Sequence, residues 1–332
     1  MSDHLAAGYD LAVFDLDGVV FLIDKPIPGA AEAVERLRAD GTAVAYATNN
    51  ASRRAGEVAA LLTGMGVSAA PAEVLTPAAA AAALIAEQVP AGSPVLVVGA
   101  EALRAEVRDA GLVPVDSAED EPVAVVQGYG PEVGWKILSE AALAIRAGAT
   151  WYATNTDRTL PSPRGPLPGN GSLVAVIRTA LDRDPDVVVG KPQPALFTTA
   201  ASLAKADHPL AIGDRLDTDI QGAVTAGMDS LLVLTGVSGP TDLLSAPAER
   251  RPTFVAADLS ALFRSADQAR IPATEVQGWQ LTRDGDRATL SGAGDPVDAL
   301  RLLCGATWDG LPPANLEPGS PEATELLHSW GL

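Results

Sequence analysis

The chain has 332 residues with 47% hydrophobic residues, a formal net charge of −19 at pH 7 and a single cysteine, Cys304. This acidic balance excludes the basic face that a nucleic-acid-binding protein needs, and one cysteine excludes an intrachain disulfide and a cysteine-rich zinc site. The N-terminus lacks the features of a signal peptide, and the most apolar run, 78–86, is too short to span a bilayer. We therefore expect a globular, cytoplasmic protein without nucleic-acid or membrane partners.

Strand-like apolar runs alternate with helical patterns along most of the chain. This order predicts an α/β fold with a parallel sheet and helices on both faces. The predicted strands of this series are 11–14, 43–47, 187–189, 210–212 and 230–234, and the predicted helices are 30–39, 57–65, 194–204 and 219–226.

A second alternating series lies between residues 77 and 186 and is interpreted as an inserted α/β domain. Residues 161–171 are rich in proline and glycine, so they are either a plain connector or a stiff loop facing a cleft. A helix is predicted to begin after them at Ser172. The predicted strands of this series are 95–98, 123–126 and 149–152, and the predicted helices are 102–110, 132–147 and 173–181.

The composition changes near residue 267. A hairpin is predicted over 279–290, followed by a helix over 295–303 with Asp295 as its cap. The segment vaguely resembles part of an acetyltransferase-like fold but has no glycine-rich pyrophosphate loop, so we expect an accessory layer without a second activity. The predicted domains are a core (1–76 with 187–266), an inserted domain (77–186) and a C-terminal segment (267–332).

A polar cluster follows each of four apolar runs. If the four runs are parallel strands of one sheet, their clusters meet at one edge, where open α/β folds bind ligands. Each cluster alone is also typical of a turn, a helix cap or a solvated loop lysine, but the four in this order favour a site. Carboxylates together with a phosphate suit Mg²⁺. The clusters are Asp15 with Asp17, Thr48-Asn49-Asn50, Lys191, and Asp214 through Asp219.

These clusters read DLDGV, TNN, GKP and GDRxxTDI, and they resemble the four motifs of haloacid dehalogenase superfamily phosphatases. The insertion resembles the large α/β cap of the p-nitrophenyl phosphatase-like branch, and the stretch PGNGS at 168–172 is typical of that branch. The resemblance covers about residues 8–265. It implies a Rossmann-like parallel sheet core with an inserted α/β cap, to which the C-terminal α+β extension is added.

The resemblance also implies roles for the cluster residues. Asp15 is the expected nucleophile, and Asp17 is the expected general acid and base. Asp17 favours phosphoryl transfer over carbon–halogen cleavage, since a departing halide needs no proton. The expected ligands of Mg²⁺ are Asp15, the backbone carbonyl of Asp17, and Asp214, with Asp219 in support of Lys191 and metal-bound water. The phosphate-binding residues are expected to be Thr48, Asn49, Asn50 and Lys191.

One position departs from the pattern of the branch. Caps of this branch often carry Gly-x-Asp after a strand, whereas this chain has Gly128-Tyr129-Gly130. The departure concerns cap closure or substrate orientation and leaves the core chemistry intact. The side chains expected to line the cap side of the cleft are Tyr129, Asn155, Asp157 and Arg164.

The implied activity is Mg²⁺-dependent hydrolysis of a small phosphorylated metabolite through an aspartyl-phosphate. Glycerol 3-phosphate is the preferred substrate, with phosphoglycolate or a nucleoside monophosphate as alternatives. The same motifs also suit a sugar-phosphate mutase, or a regulatory ligand-binding protein with weak phosphatase activity. A homodimer is left open.

Overall fold

The computed structural model describes residues 4–23, 25–160 and 162–332. The chain divides into two compact units, one formed by Met1–Val44 with Leu203–Leu332 and the other by Ala45–Ser202. The strands are β1 (Leu11–Phe14), β2 (Phe21–Leu22), β3 (Lys25–Pro26), β4 (Ala43–Ala47), β5 (Val74–Leu75), β6 (Pro94–Val98), β7 (Val113–Val115), β8 (Ala124–Gln127), β9 (Thr150–Ala153), β10 (Thr159–Leu160), β11 (Leu167–Pro168), β12 (Val187–Val188), β13 (Pro209–Gly213), β14 (Asp229–Val233), β15 (Phe254–Ala256), β16 (Trp279–Asp284), β17 (Arg287–Gly292) and β18 (Leu316–Pro318).

The helices are α1 (Ala30–Ala39), α2 (Ala55–Gly64), α3 (Pro77–Gln88), α4 (Glu101–Asp109), α5 (Trp135–Arg146), α6 (Asn170–Leu181), α7 (Ala195–Ala204), α8 (Gln221–Ala226), α9 (Pro240–Leu244), α10 (Pro296–Trp308) and α11 (Pro321–Ser329). Among the described residues, none of these helices is both long enough and apolar enough to cross a membrane.

The sheet of the first unit positions the acidic motifs. β15, β14, β13 and β1 lie side by side in this order and are parallel, with Phe14 opposite Ile212. All four residues of β1 are buried, as expected for a parallel strand covered on both faces. β4 begins beside β1, where the N–H of Ala43 donates to the carbonyl of Asp10 (2.9 Å).

The second unit contains a parallel five-stranded sheet in the order β12-β9-β8-β6-β7. Alternate residues of β6 enter separate cores: Val95 and Val97 pack with α3 and α4, whereas Leu96 and Val98 pack with α5 and α6. β4 also pairs here with β5. The α/β fold with parallel sheets is thus confirmed, while the division into three domains stays a prediction.

The structure corrects two sequence-based expectations. Residues 187–189 were expected to form a strand of the same sheet as 11–14, but β12 pairs with β9 of the five-stranded sheet. Next to this pairing, Asp186 exchanges two hydrogen bonds with Trp151: its N–H donates to the Trp151 carbonyl (2.9 Å), and its carboxylate accepts from the Trp151 N–H (2.8 Å). Helix α6 begins at Asn170 rather than Ser172, with the extended Gly169 at its N-cap. The predicted loop also contains the two-residue strand β11, and Pro161 lies outside the described residues.

The C-terminal segment joins the core of the first unit. β16 and β17 form the predicted hairpin, and β18 pairs parallel to β17 after α10 crosses over. Asp295 caps α10 as predicted, accepting from the N–H of Val297 (2.8 Å). Most of the buried apolar side chains of this segment belong to the same hydrophobic cluster as Leu232, Leu243 and Val255, which precede the segment in the chain.

Candidate active site

A buried carboxylate cluster lies at the carboxyl ends of two neighbouring strands. Asp15 directly follows β1, and Asp214 directly follows β13, so their pairing brings both acids to one edge. Asp219 lies one turn further on, just before α8. One carboxylate oxygen from each of these three residues lies within 4.8 Å of the others, and all three residues are buried. Like charges at this distance repel each other unless a cation is shared.

Backbone packing leaves room for the Asp214 carboxylate and orients it. Gly18 has φ +88°, and a Cβ atom at Gly18 or at Gly236 would collide with the Asp214 side chain. The N–H of Val237 donates to Oδ2 of Asp214 (2.7 Å), and the N–H of Ser238 donates to its carbonyl (3.0 Å). This 236–238 loop was not predicted from the sequence, although a Gly-x-Ser-Gly-Pro sequence shortly after a predicted strand is typical of a turn.

The neighbouring acids have distinct environments. Asp17 is half-buried two residues beyond Asp15, in a turn closed by the N–H of Gly18 donating to the carbonyl of Phe21 (2.8 Å). Asp217 is exposed to solvent and binds Arg215 through two hydrogen bonds of 3.0 and 3.1 Å. Oδ2 of Asp219 accepts from the N–H of Arg215 (3.1 Å), which orients this carboxylate.

The second unit brings Thr48 and Lys191 to one place. Both are buried at 2% exposure, and Nζ of Lys191 donates to the carbonyl of Ala47 at the end of β4 (2.8 Å). Oγ1 of Thr48 accepts from the N–H of Asn50 (3.0 Å). The exposed Asn50 side chain accepts from the N–H and the hydroxyl of Ser52 (2.8 and 2.7 Å), so it stabilises the local turn.

The four predicted cap residues have different surroundings. Asn155 is 4% exposed and Asp157 is half-buried, and both belong to a hydrogen-bond network with Asn49. Tyr129 is half-buried, and Arg164 is exposed between β10 and β11. Their contact with substrate stays a prediction, as do the roles assigned to Asn50 and Asp219.

Gly130 stands where caps of this branch often carry Asp, and the structure gives a steric reason for the glycine. A Cβ atom there would lie 2.7 Å from the N atom of Ala100 and 2.7 Å from the carbonyl carbon of Gly99. These are backbone atoms that cannot rotate away, so a carboxylate side chain does not fit this backbone.

The carboxylate cluster fits a small hard cation. Its three residues offer only oxygen ligands, and the donors converge within 4.8 Å in a buried position. Oxygen donors of this kind suit Mg²⁺ or Ca²⁺ rather than a metal that prefers sulfur or imidazole. Asp15 and Asp214, the two side-chain ligands expected from the sequence, both belong to this cluster, together with Asp219, and metal binding by each of them stays a prediction.

Comparisons with known proteins agree with this geometry. Residues 12–113 match the haloacid dehalogenase-like hydrolase family, residues 188–262 match a second model of such hydrolases, and residues 277–332 match a GCN5-related N-acetyltransferase-like domain. The last match confirms that the C-terminal segment resembles part of an acetyltransferase-like fold.

One relative and two solved structures extend this result. The D-glycerol 3-phosphate phosphatase of Mycobacterium tuberculosis is 43% identical over 99% of this chain and 96% of its own. A crystal structure of the glycerol phosphate phosphatase from that organism in complex with magnesium superposes with a TM-score of 0.92 at 44% identity, covering 99% of both chains. A p-nitrophenyl phosphatase from Archaeoglobus fulgidus has a TM-score of 0.71 at 30% identity over 77% of this chain and 98% of its own. The chain therefore belongs to the haloacid dehalogenase-like hydrolase family.

Proposed function

We propose that this protein is a Mg²⁺-dependent phosphatase that hydrolyses glycerol 3-phosphate. The observation that carries the proposal is the buried cluster of Asp15, Asp214 and Asp219 at the ends of β1 and β13. The 43% identity to a D-glycerol 3-phosphate phosphatase over nearly the whole chain supports the substrate, and the magnesium complex of the M. tuberculosis enzyme supports the metal. Cytoplasmic localisation and a homodimer remain predictions from the sequence.

The reaction divides into two half-reactions on Asp15. A carboxylate oxygen of Asp15 attacks phosphorus in line, the bond to the glycerol oxygen breaks, and an aspartyl-phosphate forms. Asp17 donates a proton to the departing alkoxide and then accepts one from the water that attacks the aspartyl-phosphate. Inorganic phosphate leaves, and the Asp15 carboxylate is restored.

The remaining residues hold the charged groups. Mg²⁺ bound by Asp15, Asp214 and the carbonyl of Asp17 would offset the repulsion between the anionic nucleophile and the anionic phosphate. The motif pattern of the family assigns the phosphoryl oxygens to the Thr48 hydroxyl, the Asn49 N–H and Lys191, which stabilise the charge of the transition state.

The activity test is phosphate release from a panel of small esters. We expect glycerol 3-phosphate to have the highest kcat/KM, and we expect EDTA to abolish release and excess Mg²⁺ to restore it. The panel includes phosphoglycolate, nucleoside monophosphates and sugar phosphates. Isomerisation of a sugar phosphate without phosphate release would instead indicate a mutase, and tight binding with negligible turnover would indicate a regulatory binding protein.

Replacing Asp17 by Asn tests the acid–base role. We expect D17N to lower kcat for glycerol 3-phosphate by about 10²–10⁴-fold, the usual contribution of a general acid or base. The loss on p-nitrophenyl phosphate should be smaller, because its leaving group needs less protonation than an alkoxide. The ratio of the two kcat/KM values is the measurement, because kcat/KM reports the step in which the leaving group departs and not the later hydrolysis of the shared aspartyl-phosphate. This ratio is also independent of the fraction of folded enzyme. An unchanged ratio would contradict the assignment of Asp17 as the acid.

A further inference from the structure

Residues that flank Thr48 hold Lys191 both at its backbone and at its Nζ atom. The side-chain amide of Asn49 pairs with the backbone of Lys191: Oδ1 accepts from its N–H (2.8 Å), and Nδ2 donates to its carbonyl (3.0 Å). At the other end, Nζ donates to the carbonyl of Ala47 (2.8 Å). Asn49 therefore uses its side chain to fix the main chain of the predicted phosphate-binding lysine.

Asn49 is itself held by the loop that follows β9. Its Nδ2 atom also donates to the two carboxylate oxygens of Asp157 (3.1 and 3.3 Å), and its backbone carbonyl accepts from Nδ2 of Asn155 (2.6 Å). Oδ1 of Asn155 accepts from the N–H of Asp157 (3.2 Å), so the loop is closed on itself. A hydrogen bond to a carboxylate is stronger than one between neutral groups, which makes Asp157 the firmest anchor of the Asn49 amide.

The PGNGS stretch at 168–172 supports that loop from behind. The N–H of Gly171 donates to the carbonyl of Asp157 (2.8 Å), and Nδ2 of the buried Asn170 donates to the carbonyl of Asn155 (2.7 Å). A Cβ atom at Gly169 would lie 2.5 Å from the Asp157 carbonyl oxygen, and one at Gly171 would collide with the backbone of Thr156. Both glycines are therefore required by close contact.

Gly190 shows the same restriction next to Lys191. A Cβ atom there would lie 2.6 Å from Oδ1 of Asn49 and 2.5 Å from the carbonyl oxygen of Thr154. A side chain at this position would push the Asn49 amide away from Lys191. Direct contacts thus connect the 168–172 stretch to the 155–157 loop, this loop to Asn49, and Asn49 to Lys191.

We propose that Asn49 and Asp157 are positioning residues that set the place of Lys191, and that the 168–172 stretch braces them. The proposal rests on the proposed function in one respect, because it takes Lys191 as a group that binds the substrate phosphate. Asn49 and Asp157 then affect phosphate affinity through the lysine, and the affinity for inorganic phosphate reports their effect.

The test compares Asp157→Ala with Asp157→Asn. The alanine variant removes the anchor of the Asn49 amide, whereas the asparagine variant keeps an acceptor oxygen of the same shape. With Mg²⁺ present, we expect D157A to raise both the KM for glycerol 3-phosphate and the competitive Ki of inorganic phosphate about tenfold, and we expect D157N to recover most of that loss. D184A is the matched control, because it removes a carboxylate from an exposed ion pair with Arg178 (2.9 Å) in the same unit, and its constants should stay unchanged.

The phosphate Ki separates positioning from two other roles. If Asp157 only stabilised the fold, D157A would lower the amount of active enzyme and leave KM and Ki unchanged. If Asp157 bound the glycerol part of the substrate, KM would rise while the Ki of phosphate stayed constant. Either result overturns the proposal, as does a D157N variant that is as impaired as D157A.

A second variant, N49L, changes the contacts of Lys191 itself. Asn49→Leu removes both hydrogen bonds to the Lys191 backbone, so it should raise the phosphate Ki at least as much as D157A; a smaller rise overturns the proposal. If N49L does not fold, the comparison of D157A with D157N tests the proposal alone. Both of these variants should fold, because Asp157 is half-buried on a loop. If the wild type releases no phosphate from any ester, the proposed function fails, and calorimetric binding of inorganic phosphate with Mg²⁺ tests the same fold-changes. A folded wild type that binds no phosphate overturns both proposals.

Discussion

Replacing Asp15 by Asn is expected to lower kcat for phosphate release by about 10⁴-fold or more, since the amide cannot form the aspartyl-phosphate. The change is isosteric, so the buried surroundings at the end of β1 are kept. It also removes one of the three carboxylates that lie within 4.8 Å of each other. We therefore expect Mg²⁺ to raise the melting temperature of D15N less than that of the wild type.

The matched control for D15N is Asp10→Asn, at the other end of the same strand. Oδ2 of Asp10 accepts from the N–H of Asp207 (2.8 Å) and Oδ1 from the N–H of His208 (3.0 Å), so an amide keeps one of these two hydrogen bonds. We expect D10N to lower the melting temperature and to keep both phosphate release and the stabilisation by Mg²⁺. Phosphate release and melting curves with and without Mg²⁺ are measured for both variants. Turnover by D15N within tenfold of the wild type would show that Asp15 is not the nucleophile.

The acidic part of the site could be predicted because it depends on local sequence and strand order. An apolar run followed by an acid indicates a strand whose end carries the acid, and β-α-β order makes such strands parallel. Asp15 and Asp214 therefore meet wherever β1 and β13 pair, which the structure shows. The strands β1 and β4 and the helix α1 have the predicted bounds.

The surroundings of Lys191 could not be predicted in the same way. The short run 187–189 has no period that distinguishes one sheet from another, and its place beside β9 depends on contacts between residues far apart in the chain, such as that of Asp186 with Trp151. Asn49 was expected at the phosphate through the TNN motif, and its side chain was given no role of its own. Its pairing with the Lys191 backbone joins positions 142 residues apart, and no local pattern indicates such a contact.

Gly130 shows how a structure can give a reason for a sequence departure. The motif comparison identifies a missing carboxylate, which could mean a lost function. The close approach of Gly99 and Ala100 adds that this backbone has no space for any side chain at position 130. Sequence alone does not contain this information, because the two segments meet only in the folded five-stranded sheet.

Removing the C-terminal segment by ending the chain at Ala266 is expected to unfold the first unit. Leu232, Leu243 and Val255 are fully buried in the same cluster as Leu290 and Leu300 of the segment, and truncation would expose this face to water. Each fully buried side chain of this size contributes about 1.5–3 kcal/mol, and a domain has only about 5–15 kcal/mol in total. We therefore expect insoluble or molten protein without phosphatase activity, detected by circular dichroism and thermal melting.

A point variant separates loss of this packing from loss of chain length. Leu300 is 0% exposed in α10, so Leu300→Ala should lower the free energy of unfolding by about 2–5 kcal/mol. Burial raises the pKa of the neighbouring Cys304 thiol far above its usual value, so a thiol reagent should label Cys304 only when the core opens, and faster in L300A than in the wild type. A truncated chain that melts cooperatively and keeps full turnover would instead show that the segment folds separately. The shared cluster argues against that result, because apolar residues from both sides of residue 266 pack together in it.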